Sequence, residues 1–163
     1  MGIEKTIHFS KRLIGSKYVW WLDGPLSDGP PNWSSNSKVP PIEVVKRLGT
    51  NCTGLTNLML RFSLKNIPSH PENSDWDGGI EAYYFTYFDK FVKFSDSISW
   101  PKGTLLFRRY RNLKDQGHVA VVIENNKLIQ SYHPVGVDDS VDISDSHFGY
   151  YYELALLPEN WII

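Results

Sequence analysis

The sequence is short of three things at once: cysteine, long apolar runs and an excess of either charge. Cys52 is the single cysteine among 163 residues, which excludes an intramolecular disulfide framework and any metal site that needs several thiolates. No run approaches the ~20 apolar residues of a membrane-spanning helix. The opening stretch MGIEKTIHFSKRL has no apolar core of a signal peptide, although Met1-Gly2 does begin the short N-myristoylation pattern. The expectation is a soluble, cytoplasmic protein. With 17 Lys and Arg against 18 Asp and Glu the formal net charge is -1, and no basic run exceeds Arg108-Arg109. Composition therefore argues for no nucleic-acid partner.

What is present is a folding chain. Hydrophobic residues make up 41% and aromatic residues 14%, enough for one core and, at this length, one domain over 1–163. Residues 22–41 hold five of the ten prolines with two glycines and four serines, a composition that sustains neither a helix nor a central strand. A loop of that length is a lid or binding loop, or a plain surface insertion.

Residues 42–48 read as a short helix. Gly49 stops it, and Thr50 or Asn51 caps the next one. Leu55, Leu58, Met59 and Phe62 then recur at i, i+3, i+4 and i+7, the stripe of an amphipathic helix with Cys52 in its first turn. Residues 66–79 form a second loop. After it a helix is expected with Ile80, Tyr84, Tyr87, Phe88 and Phe91 on one face, read as core packing. Residues 104–110, 118–123, 127–132 and 151–157 are short β-branched or aromatic runs between turn residues, which predict antiparallel strands. Helices first and a meander second give an α+β fold.

A cysteine at a helix N-terminus faces unpaired backbone amides, which favour thiolate and so make a nucleophile. A small buried hydrophobe is the other reading of the same residue. His118, heading the run HVAVVIE, is the candidate base, its ring emerging at a sheet edge. Gln130 is the candidate orienting group, and parity decides it. A three-residue connection, Glu124-Asn125-Asn126, pairs Ile123 with Lys127 and sets Gln130 opposite Ala120 on the face of His118. A two-residue Asn125-Asn126 turn would put Gln130 on the other face. Arg108, Arg109 and Arg111 either meet a substrate carboxylate or are solvated surface.

These segments carry a resemblance. Gly15-Ser-Lys-Tyr18-Val19-Trp20 is similar to the GxxYVWGG signature of NlpC-type papain-like cysteine peptidases, enzymes that cut bacterial cell-wall peptides. Asn51-Cys52-Thr53-Gly54-Leu55 resembles their DCSGL motif, 101–107 (PKGTLLF) their PGDLVFF strand, and 118–123 (HVAVVI) their HVGIYIG. Gln130 falls where the family usually has a histidine. The matches keep the family's order over about residues 15–131. The resemblance implies a nucleophile helix packed on an antiparallel sheet, with Cys52 as nucleophile, His118 as general base and Gln130 as orienter. It implies Tyr18, Trp20 and Asn51 as residues at the substrate, a short peptide or peptidoglycan fragment, and no metal or cofactor. Asn51 departs from the family's aspartate, Trp21 from a glycine, and the stretch between Tyr18 and Cys52 is longer than usual. Two further readings stay open: a thiol acyltransferase or lipid amidase of the same superfamily, whose lecithin:retinol acyltransferase relatives place histidine before cysteine, and an inactive ligand-binding domain.

Overall fold

The computed structural model describes residues 2–19, 38–145 and 152–163. It is α+β, as the patterning predicts. Among the described residues four α-helices, α1 (Ile3–Lys11), α2 (Ile42–Leu48), α3 (Cys52–Phe62) and α4 (Ile80–Tyr87), accompany six strands: β1 (Val92–Lys93), β2 (Leu105–Arg108), β3 (His118–Glu124), β4 (Lys127–Tyr132), β5 (Gly136–Asp142) and β6 (Leu154–Leu156). The strands form one sheet in the order β1-β6-β2-β3-β4-β5, antiparallel at every pairing. Of the long Pro-rich loop, residues 22–37 lie outside the described residues.

α3 is the helix around which one side of the sheet closes. Leu55, Leu58, Met59 and Leu60 are almost fully buried and share a core with Leu105 and Phe107 of β2, Val119 and Val121 of β3, and Ile129 of β4. Burying each such side chain is worth about 1.5–3 kcal/mol. Phe62 stacks on Phe9 of α1 with ring centroids 4.4 Å apart. Alternate residues of the same strands, Leu106, Ala120, Val122 and Leu128, build a smaller core on the far face with Ala155 of β6 and Trp100. β2, β3 and β4 are thus apolar on both sides, which the two-layer burial requires.

Three features differ from the sequence reading. α1 falls where only the absence of a signal peptide is legible, because two of its inward positions are hydroxyl residues. Thr6 bonds Ser63 across 2.8 Å, and Ser10 donates to Ile7 O. The two edge strands are both additions, the two-residue β1 at one side and β5, GVDDSVD, with only Val137, Val141 and Gly136 buried, at the other. In α4 the inward face is Ile80, Tyr83 and Tyr84, whereas Phe88 ends the helix and is 78% exposed. Tyr83 wins the inward position because its hydroxyl lies 2.7 Å from Asn57 Oδ1 and 2.9 Å from Thr56 Oγ1, so its polar end is satisfied while its ring fills the core. Phe91 lies beyond the helix and stacks on Tyr84.

Candidate active site

Gly49 lets the chain turn from α2 into α3. It has φ +90, and a Cβ there would lie 2.6 Å from Lys17 O, so only glycine fits both the backbone and the close approach. Asn51 is then the N-cap: its Oδ1 accepts from Gly54 N at 2.7 Å and from Thr53 Oγ1 at 3.3 Å. Cys52 is the first residue of the helix. The nearby backbone amides of Val119, Thr53 and Cys52 favour thiolate. Burial of the thiol opposes them and prevails, raising its pKa from 9.0 to about 11. The residue as a whole is half-buried. The resting group is therefore a neutral thiol, opposite to the expectation from the helix terminus alone.

Val119 follows His118 but faces the other way: it lies in the core under α3 with Cys52, whereas His118 shares the face of Gln130. His118 does not emerge at a sheet edge: β3 is a central strand and His118 is 2% exposed. Its Nε2–H donates to Gln130 Oε1 across 2.6 Å, which leaves Nδ1 as the basic nitrogen. Burial also lowers its pKa from 6.5 to about 4, only partly offset by Gln130. Tyr152 OH lies 3.5 Å from the same Gln130 oxygen.

The pairing of His118 with Gln130 is reached by a route the sequence did not anticipate. The β3–β4 connection is the two-residue turn, Asn125 and Asn126 both at positive φ (44 and 62), closing the pair Glu124↔Lys127. A bulge between Val122 and Glu124 then shifts the register to Val122↔Leu128 and Val121↔Ile129. The extra residue in β3 does what a third loop residue would have done: continued by one step, the register sets Ala120 opposite Gln130, on the face of His118.

Tyr18 forms an isolated parallel bridge with Thr50, and Val19 N donates to Thr50 O. The segment that carries it thus lies against the residue two before Cys52, and its ring meets that of His133 edge-on at 5.7 Å. Trp20 lies outside the described residues. Asn51 is buried with its oxygen given to the cap. The three arginines are matched by carboxylates: Arg108 with Asp115 through two bonds of 3.1 and 2.7 Å, Arg109 with Glu81 at 3.4 Å, and Arg111 with Asp115 and Glu153. Among the described residues no group of three His, Cys, Asp or Glu side chains could hold a metal ion, and no helix is long and apolar enough to cross a membrane.

No family model matches the sequence, and no curated protein matches it. Among solved structures, a Staphylococcus aureus protein described as similar to lipoprotein, of the NLP/P60 family, is similar with a TM-score of 0.55 and 16% identity over 95% of this chain. The likeness covers 40% of that chain. At this identity it shows the fold, an NlpC-like α+β arrangement of helices and antiparallel sheet.

Proposed function

We propose that the protein is a cysteine peptidase or amidase that hydrolyses an amide bond in a short peptide, of the peptidoglycan stem-peptide kind or similar. Two placements support the reading: Cys52 is the first residue of α3 and packs against the core that contains Val119, and His118, the residue before Val119, is bonded through Nε2 to Gln130. The order and type of these residues are those of a thiol nucleophile, a general base and a neutral orienter.

Burial keeps both Cys52 and His118 neutral at rest, so the thiol proton passes to His118 as the sulfur attacks the substrate carbonyl rather than beforehand, a transfer that has to go round the head of β3, because Cys52 packs on the face of α3 and His118 on the face of Gln130. The tetrahedral oxyanion forms close to the start of α3 and its backbone amides. His118 returns the proton to the departing amine, the C–N bond breaks, and a thioester remains on Cys52. Water, deprotonated by the same imidazole, attacks the thioester and releases the acid and the free thiol. Tyr18 and Trp20 are assigned to the substrate groove and Asn51 to holding the nucleophile helix.

The test is incubation of muropeptides and synthetic stem peptides with the wild type and Cys52→Ala, followed by mass spectrometry of the products. Hydrolysis of one amide bond by the wild type and none by the variant is expected. Binding without cleavage by either protein would replace this reading with the inactive ligand-binding domain, and transfer of an acyl group to an added amine or alcohol without hydrolysis would favour the acyltransferase.

A further inference from the structure

Neighbouring residues of β4 reach opposite faces of the sheet. Gln130 meets His118 on one; Ser131 meets the chain in front of Cys52 on the other. Ser131 is 0% exposed, and its hydroxyl donates to Thr50 O across 2.8 Å. That carbonyl also accepts from Val19 N at 3.3 Å, while Thr50 N donates to Lys17 O at 3.0 Å. Thr50 is itself fully buried. Its hydroxyl occupies the space a side chain at position 54 would need, since a Cβ on Gly54 would come within 2.3 Å of it. The Thr50 peptide is thus where three segments join: β4, the Tyr18 segment and the entrance to α3.

We infer that Ser131 is a positioning residue for the nucleophile: its bond to the Thr50 carbonyl fixes the entrance of α3 against β4, and so holds Cys52, two residues further on, in place against the sheet. The inference rests on the reading of Cys52 as nucleophile. It assigns β4 a double task, orienting the base through one residue and seating the nucleophile through the next. A purely structural hydroxyl would lack the second consequence. The molecule offers one for comparison, the buried Thr6–Ser63 bond of 2.8 Å at the opposite end of α3.

The experiment compares Ser131→Ala, Ser131→Thr and Ser63→Ala in the full chain by thermal unfolding, by kcat and KM on an amide the wild type cleaves, and by the rate of Cys52 alkylation with iodoacetamide across pH. Ser131→Ala should lower kcat about tenfold with KM within about twofold, because a small displacement of a reacting group is felt in the transition state. It should also alkylate faster than wild type at pH 8, because a sulfur released from β3 regains water and its ionisation falls back toward that of a free thiol. Ser131→Thr keeps the hydroxyl and should return both readouts toward wild type. Ser63→Ala should lower the melting temperature and move neither. A Ser131→Ala protein altered only in melting temperature, or a Ser63→Ala protein with the same kinetic changes, would overturn the inference. If Ser131→Thr fails to fold, the contrast between the two alanine variants decides. If the wild type cleaves no amide, the proposed function fails, while the alkylation rates still decide the role of Ser131.

Discussion

The sheet face under α3 and the face turned away from it differ in what they bury. Under the helix the contents are almost wholly apolar, Leu55, Leu58 and Met59 closing on Phe107, Val119, Val121 and Ile129. The polar groups admitted there include hydroxyls and an amide tied to backbone carbonyls, as Thr56 is to Thr53, Ser131 to Thr50 and Asn57 to Gly78. The far face has the smaller core, and at the His118 end it buries an imidazole and a carboxamide that bond each other. On the proposed reading the first face seats the nucleophile and the second holds the base neutral and in one tautomer, and the two work together round the head of β3. Strand alternation joins them, since consecutive residues of β4 serve one face each.

If that division is right, damage to the far face should remove chemistry more than stability. His118→Ala should lower kcat/KM by at least about 10³-fold, and Gln130→Ala by about 10- to 100-fold, since water can replace an orienting group better than a proton carrier. Steady-state kinetics on the folded variants measures this, and equal losses would show that Gln130 is more than an orienter.

The same face should also set the acid limit of the fold. His118 is neutral in the folded protein down to about pH 4 but titrates at 6.5 when free, so between these values the unfolded chain binds more protons. The stability that burial of the neutral ring allows is complete above pH 6.5 and is lost as the pH falls toward 4. At most roughly 3 kcal/mol is at stake, from 1.36 kcal/mol per tenfold change in proton affinity. Denaturant unfolding at pH 7 and pH 4.5 should show a smaller acid loss in His118→Gln than in wild type; identical losses would place the acid sensitivity elsewhere.

On the helix side the effects should be smaller. Asn51→Ala should destabilise by about 1 kcal/mol through loss of the cap, and Asn51→Asp by a few tenths at most, because either side chain caps equally well. If Asn51→Asp instead changed the preference between free and acetylated peptide N-termini without altering stability, position 51 would belong to the substrate groove rather than to the helix.

The contrast between faces also explains what the sequence disclosed. α3 and three of its inward residues were legible because Leu55, Leu58 and Met59 repeat with the helical period, and its cap was narrowed to Thr50 or Asn51; Leu60, off that stripe, was not. The partners of β3 were legible too, but the bulge beside Ile123 was not: HVAVVIE is apolar on both faces, so a one-residue slip leaves its pattern unchanged. α1 was hidden by the hydroxyls of Thr6 and Ser10, and β5 by its three aspartates, which an edge strand tolerates. The ionisation of Cys52 was read from the helix terminus, a local feature. Its reversal comes from burial, which only the assembled fold contains. The arginines were open between substrate and solvent because their carboxylate partners Glu81, Asp115 and Glu153 lie as far as 42 residues away in sequence.

The most direct test of Cys52 as the nucleophile is acid quenching of wild-type protein during turnover of a cleavable peptide, followed by mass spectrometry of the fragment that contains Cys52. A mass increase equal to the acyl part of the substrate, located on Cys52 and removed by hydroxylamine, is the predicted result. Continued turnover with Cys52 unmodified and with Cys52→Ala equally active would contradict the account.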